Sequence, residues 1–150
     1  MKTRLLLFVI LMALSVIDVA AQQYTSRYNE YLRRTEYFDK SGAMLGYSTY
    51  NEYLQRTEYY DRSGRLQRTE QDNPYLDRSE VRDASGRLKS TTKKNEYLNR
   101  EETRDAGGGL TMYKKWNEYL ERYDVYDSSG RVIGYYKYNE YLDRWEYYNR

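Results

Sequence analysis

The chain has 150 residues, and its 25 Lys and Arg against 23 Asp and Glu leave a net charge of +2 at pH 7. This balance argues against a nucleic-acid-binding protein, which normally presents a strongly basic face. The sequence holds no cysteine and no histidine, which excludes disulfides and leaves a zinc or haem site without its usual ligands.

The N-terminus has the pattern of a secretory signal peptide over residues 1–21. Lys2 and Arg4 precede a short apolar run, residues 5–17, and Ala20-Ala21 offers a cleavage site for a signal peptidase. The run is too short and wrongly flanked for a membrane-spanning helix. We therefore expect a mature chain from Gln22, without a membrane span, that is secreted, periplasmic or displayed at the cell surface.

The mature chain is poor in the residues that normally build a core. Leu, Ile, Val and Phe supply 15 of residues 22–150, a fraction that indicates disorder in an ordinary chain. Tyrosine compensates, because its 21 copies can bury ring area while keeping a polar tip. We expect a thin core made by the leucine of each repeat and the apolar residue after each turn, with tyrosine covering it.

The tetrapeptide Asn-Glu-Tyr-Leu recurs every 22 residues, and its one departure is Pro74, which replaces the glutamate of the third copy. A fixed period in this range indicates a repeat architecture in which each unit packs on its neighbours. Residues 22–150 are therefore expected to form a single repeat domain. Its units are 29–50, 51–72, 73–94, 95–116, 117–138 and the partial unit 139–150.

Each unit reads as one β-hairpin. Runs such as Arg-Thr-Glu-Tyr-Tyr (56–60) alternate with the period of a strand, and Asp-x-Ser-Gly then predicts a turn with a glycine bulge. We expect an all-β array forming an extended antiparallel meander or spiral sheet. The alternative is a parallel β-solenoid with one coil per unit, in which the asparagines would stack. The expected structural positions are Asn29, Asn51, Asn73, Asn95, Asn117, Asn139, Gly42, Gly64, Gly86, Gly108 and Gly130.

Charged residues recur at fixed positions within each unit. An arginine such as Arg56 stands two residues before an acidic residue such as Glu58, so both side chains share one strand face. A cross-strand ladder of opposite charges is the favoured interpretation, and a recognition stripe is the alternative. The aspartates that open the turns, such as Asp61, are expected to form Asx-turns rather than calcium sites, since each turn offers too few oxygen ligands.

Aromatic residues that differ between units are the candidate binding residues. They are Tyr47, Tyr113, Trp116, Tyr123, Tyr135, Tyr136 and Trp145. The tyrosine of every Asn-Glu-Tyr-Leu is a further candidate, as a stacking platform for sugars. No catalytic residues, metal or cofactor are predicted, because histidine and cysteine are absent and every carboxylate pair recurs in each unit.

Two families share short patterns with this chain. Tyr-Tyr-Asp-Arg-Ser-Gly-Arg-Leu (59–66) and Val-Tyr-Asp-Ser-Ser-Gly-Arg-Val (125–132) resemble the tyrosine-aspartate (YD) repeats of RHS-type shell proteins. That resemblance implies β-hairpins that wind into long sheets. Residues 36–47 are more weakly similar to the aromatic hairpin repeats of choline- and cell-wall-binding modules, which implies a ligand site between aromatic rings.

These features predict a non-catalytic, surface-exposed protein for binding or adhesion, with a glycan, cell wall or protein as partner. The alternative is a self-assembling structural protein of an envelope or fibre. Residues 24–28 and 139–150 each read as half a unit. The terminal strands would then have one partner each, and open strand edges invite pairing with another chain.

Overall fold

The computed structural model describes residues 25–141 and 144–150, and the expected signal peptide lies outside them. The described residues form twelve strands. Their bounds are β1 Thr25–Asn29, β2 Arg34–Phe38, β3 Met44–Asn51, β4 Arg56–Asp61, β5 Leu66–Asn73, β6 Arg78–Asp83, β7 Leu88–Asn95, β8 Arg100–Asp105, β9 Leu110–Asn117, β10 Arg122–Asp127, β11 Val132–Asn139 and β12 Arg144–Asn149. None of these residues belongs to a helix long and apolar enough to cross a membrane.

The strands form a single antiparallel meander in which each one pairs with its neighbours in sequence. Asn51 is opposite Arg56 across one turn, and Thr57 is opposite Glu70 across the next. Equivalent residues of successive units therefore lie two strands apart, about 10 Å. This confirms the all-β hairpin array, and the parallel solenoid is wrong because residues 22 apart are not hydrogen-bonded neighbours.

The Asp-x-Ser-Gly segments form the turns that close each hairpin, here called the Gly turns. In the turn after β4, the Gly64 amide donates to the Asp61 carbonyl and the Asp61 amide to the Arg65 carbonyl, both at 3.0 Å. The side-chain Oδ1 of Asp61 accepts from the amides of Ser63 and Arg65. The predicted Asx-turn is thus confirmed. The glycines take φ between 79° and 88°, at Gly42, Gly64, Gly86, Gly108 and Gly130.

The Asn-Glu-Tyr-Leu segments form the turns at the opposite end of the strands, here called the Tyr turns. Asn51 holds its turn by accepting the Leu54 amide on Oδ1 at 3.0 Å. The residue after leucine takes a left-handed conformation, with φ between 45° and 51° at Arg33, Gln55, Asp77, Asn99 and Glu121. The asparagine is therefore a turn residue, and its chemistry rather than stacking explains its recurrence.

The alternation of side chains gives the sheet two different faces. The carboxylate face carries Glu58, Tyr60 and their equivalents, and the inner face carries Tyr59, Arg68 and Val125. Side chains on the inner face meet across strands that are not neighbours: Trp116 of β9 and Trp145 of β12 lie 6.4 Å apart between ring centroids. Three strand spacings are about 14 Å, so the sheet curls toward the inner face.

The core lies on the inner face and is small. Its buried hydrophobic residues are Tyr59, Val81 and Val125, and Val125 is only 2 % exposed. The predicted leucine core is wrong, because the described leucines of the Tyr turns are between 39 % and 47 % exposed. They sit in turns beyond the hydrogen-bonded strands, where no second layer covers them.

Candidate binding surfaces

A row of tyrosines lines the edge of the sheet formed by the Tyr turns, here called the tyrosine rim. Each side chain is between 93 % and 97 % exposed, at Tyr31, Tyr53, Tyr75, Tyr97, Tyr119 and Tyr141. Neighbouring members are two strands apart, about 10 Å. The rim is therefore an evenly spaced series of phenol rings standing in solvent.

The rim tyrosines do not cover the leucines as expected. Tyr53 and Leu54 are both exposed in the same turn, which Asn51 already holds through its side chain. Isolated apolar residues on a protein surface are ordinary, but here the same exposed pair of tyrosine and leucine recurs in successive turns. The rim accordingly holds the most exposed aromatic residues in the part of the chain that the structure describes.

Buried carboxylates form the centre of the carboxylate face. Glu36, Glu58, Glu80, Glu102 and Asp124 are only 5–7 % exposed. In unit two, Nε and Nη2 of Arg56 donate to Glu58 Oε1 at 2.9 and 2.6 Å, and Asn51 Nδ2 donates to the same oxygen at 3.3 Å. The opposite charges do pair, but mainly within a strand rather than as the predicted cross-strand ladder.

These hydrogen bonds hold the pKa of the four glutamates, Glu36, Glu58, Glu80 and Glu102, below its usual range. The Tyr60 hydroxyl and Arg56 together lower the pKa of Glu58. Arg78 and Arg82 lower the pKa of Glu80 in the same way. An ionised carboxylate that already accepts several hydrogen bonds, as Glu58 does, is a poor acceptor for a ligand. The stripe of charges, for which ligand recognition was the alternative interpretation, thus consists of internal ion pairs such as Arg56 with Glu58.

Three of the seven candidate aromatics lie on the carboxylate face as stacked pairs. Tyr47 stacks on Tyr60 at 5.1 Å between centroids, and the Arg34 guanidinium covers its other side at 4.3 Å. The same sandwich recurs at Tyr113 with Tyr126 and at Tyr135 with Tyr148. Both faces of these rings are occupied, so they pack the sheet rather than stand ready for a ligand.

The other four candidates lie on the inner face. Trp116, Tyr123 and Trp145 contact one another, with Tyr123 and Trp145 5.4 Å apart between centroids. Tyr136 packs beside Tyr147 on the neighbouring strand at 5.1 Å. The seven candidates therefore do not form a single site, because the alternation of side chains sends them to opposite faces.

The inner face also carries charges that the sequence interpretation missed. Arg68 is 7 % exposed and its guanidinium lies 3.7 Å from the centroid of the Tyr59 ring. Lys114 Nζ pairs with Glu101 Oε1 at 2.6 Å. Burial raises the pKa of Glu70 to about 7. A signal was present in the sequence, because these positions hold uncharged residues in most of the other units.

Open grooves are shallow in the described part of the chain. One of about 410 Å³ lies against Arg122, Val132 and Tyr135 near the last strand, and one of about 310 Å³ lies beside Pro74 and Arg82. Within residues 25–141 and 144–150, no group of three or more acidic, histidine or cysteine side chains is arranged to hold a metal ion.

The fold is similar to that of a solved plant protein. The X-ray structure of a protein from Arabidopsis thaliana, AT5G01750, superposes with a TM-score of 0.56 at 14% sequence identity, covering 77% of this chain and 72% of that one. At this identity the likeness concerns the fold alone. No protein-family model and no curated protein matches the sequence.

Proposed function

We propose that this is a secreted, non-catalytic binding protein that engages a repetitive partner at a cell surface through the tyrosine rim. The observation that carries the proposal is the exposure of all six rim tyrosines, at 93–97 %. Tyrosine offers a large rigid contact surface with a polar tip, which suits it to recognition.

The rim tyrosine is the same in every unit although the fold does not require it. In the same turns the residue after leucine varies freely among arginine, glutamine, aspartate, asparagine and glutamate. The strand positions before the Gly turns have also diverged, from Tyr59-Tyr60 to Thr103-Arg104. The tyrosine is exposed and yet identical in every unit, whereas neighbouring positions have diverged. This difference supports a role for the tyrosine in contact with a partner.

A polymeric glycan is the partner class that fits the rim best. An extended polysaccharide presents equivalent sugar faces at regular intervals, and phenol rings stack on such faces. Each contact is weak, but linked contacts raise the overall affinity by orders of magnitude without any new interaction. The regular spacing of about two strands per tyrosine supports this multivalent mode.

Secretion is part of the proposal. The pattern of residues 1–21 supports export. The lack of histidine and cysteine, with a carboxylate pair in every unit rather than at one place, supports a non-catalytic role.

Binding of residues 22–150 to glycan arrays and insoluble polysaccharides tests the proposal. A variant with serine at all six rim positions should lose at least ~100-fold in apparent affinity, and one with three replacements should lose less, as avidity requires. The control replaces Tyr135 and Trp145 with alanine. Retained binding by the six-fold variant, with loss in the control, would contradict a rim site and favour the aromatic faces.

Self-assembly is a second candidate, favoured by the open sheet. Among the described residues, β12 pairs only with β11, so its other side is an open strand edge. Unpaired strand edges can add a strand from another chain. Sedimentation of the full chain and of a variant lacking residues 139–150 tests it: concentration-dependent association that the deletion removes is expected, and a full chain that stays monomeric at high concentration contradicts it.

A further inference from the structure

Four charged residues that are buried or half-buried on the inner face interrupt the repeat at three of its positions. Arg68 and Glu101 each occupy a position that holds an uncharged residue in the other units, whereas Glu70 and Lys114 share one position, which holds Ser, Thr or Tyr in the remaining units. Most units are therefore built without charge at these positions. Charges that occur in only one or two units, on the face that holds the hydrophobic core, have the distribution expected of a site rather than of a scaffold.

Arg68 is held in place by its neighbour but is not satisfied by it. The guanidinium lies over Tyr59, and the residue is 7 % exposed. Nε, Nη1 and Nη2 are all buried and have no hydrogen-bond partner among the described residues. The ring covers one face of the guanidinium plane but cannot accept its in-plane N–H groups, which point to an acceptor.

Glu70 stands two residues along the same strand and leaves a second polar atom unpaired. Its Oε1 accepts a hydrogen bond from Ser79 Oγ at 3.0 Å, while Oε2 is buried without a partner among the described residues. On the carboxylate face the same spacing closes an ion pair, as between Arg78 and Glu80 at 2.7 Å. No such pair joins Arg68 to Glu70 within the described ion pairs, although the two share a strand face.

We propose that Arg68 and Glu70 form a binding site on the inner face for a small oxyanion, the carboxylate or phosphate group of a ligand. The guanidinium presents a fork of donors that matches either group. A protonated Glu70 adds a donor at Oε2, since Oε1 is already an acceptor. Lys114 does not compete for the anion because its ammonium is paired with Glu101 at 2.6 Å.

The ionisation of Glu70 then controls the affinity. Burial raises its pKa to about 7, against the smaller opposing effect of Arg68. The charged groups that act on this part of the inner face are Asp72 and Arg68 of β5, Glu101 of β8 and Lys114 of β9, with the Tyr37 phenol of β2 beside them. Ionised Glu70 repels an anion, so binding should be tighter at pH 6 than at pH 8.

The experiment uses residues 22–150 with acetate and inorganic phosphate as separate probes, followed by NMR chemical shifts and calorimetry. Acetate or phosphate should bind saturably. The affinity for acetate, whose own charge is constant over this range, should be about tenfold higher at pH 6 than at pH 8, because the protonated fraction of Glu70 changes by that factor. The probe that binds identifies the source of the oxyanion. Absence of saturable binding by both probes at either pH overturns the site.

Two variants and a control separate the site from a general effect of charge. Arg68→Gln should lower the affinity at least tenfold, whereas Arg65→Gln, at an exposed Gly turn, should not change it. Glu70→Gln keeps a donor near Oε2 and should bind acetate with equal affinity at both pH values, independently of the result for Arg68→Gln. Unchanged affinity in Arg68→Gln, or a tenfold pH dependence that persists in Glu70→Gln, contradicts the proposal.

Discussion

The hydroxyl of Tyr60 donates a 2.7 Å hydrogen bond to Oε2 of Glu58, a carboxylate buried on the same strand. In the next unit Arg82 takes this place, and its Nη2 donates to Glu80 Oε2 at 2.7 Å. A phenol hydroxyl in one unit and a guanidinium in the next thus donate to the equivalent carboxylate oxygen. The exchange explains how the central units lost their aromatic pairs without leaving a buried carboxylate short of a donor.

Replacement of Tyr60 by phenylalanine tests this donor alone. The ring can still stack on Tyr47, 5.1 Å away, so the variant removes only the hydrogen bond to Glu58. We expect the free energy of unfolding to fall by about 1 kcal/mol, measured in urea. Tyr53→Phe is the control, because that hydroxyl stands in solvent. Equal stability of both variants would show that Glu58 does not need its third partner.

The free energy of unfolding should change with pH in two opposite directions, because two kinds of carboxylate contribute to it. The folded protein lowers the pKa of Glu58 and Glu80, so their contribution is present above the unfolded pKa and lost as the pH falls. Glu70 behaves in reverse: its folded pKa of about 7 lies above the usual 4.5, so the folded state holds the extra proton. Stability therefore falls as the pH rises between these two values.

Urea unfolding at pH 5 and pH 8 measures the part of the pH dependence that comes from Glu70. The wild-type protein should be less stable at pH 8 by on the order of 1–3 kcal/mol. Glu70→Gln should be nearly as stable at pH 8 as at pH 5, because glutamine does not titrate. A fall of the same size in this variant would assign the effect to another group.

The position of the core can be tested with two alanine substitutions. Val125 is buried on the inner face, whereas Leu76 lies in a Tyr turn and is about half exposed. Val125→Ala should cost about 1–3 kcal/mol, and Leu76→Ala below about 1 kcal/mol. Thermal and urea unfolding give both values. The reverse order would restore the leucine core that the repeat pattern suggested.

Two glycines in the Gly turns should respond in opposite ways. Gly86 has a φ of 85°, and a Cβ added there would meet nothing within 4 Å beyond its chain neighbours, so Gly86→Ala should cost about 1 kcal/mol through the backbone alone. Gly107 stands where other turns have serine, and Gly107→Ser restores the Asp-x-Ser-Gly pattern. That variant should be stabilised by a few tenths to about 1 kcal/mol. Differential scanning calorimetry distinguishes the signs, and a destabilised Gly107→Ser would show that this turn differs from the others.

Much of the local structure could be predicted from the sequence. The alternation in residues 56–60 and the glycine of each Gly turn specify strands and turns through interactions between residues close in the chain, such as Asp61 with Ser63 and Arg65. The sequence did not predict that the seven candidate binding aromatics lie on opposite faces of the sheet. Their positions relative to one another depend on strand faces and on which strands the curl brings together.

The repeat, the hairpin of each unit and the Asx chemistry of the Gly turns follow from the sequence, because a 22-residue period and short-range hydrogen bonds are local properties. The exposure of the leucines and of the tyrosine rim became visible only in the folded sheet. The tertiary structure also decided that Trp116 meets Trp145, and that Glu70 and Lys114 share one buried surface. Those contacts join strands three or four apart, and they exist because twist accumulates across many strands until the sheet curls.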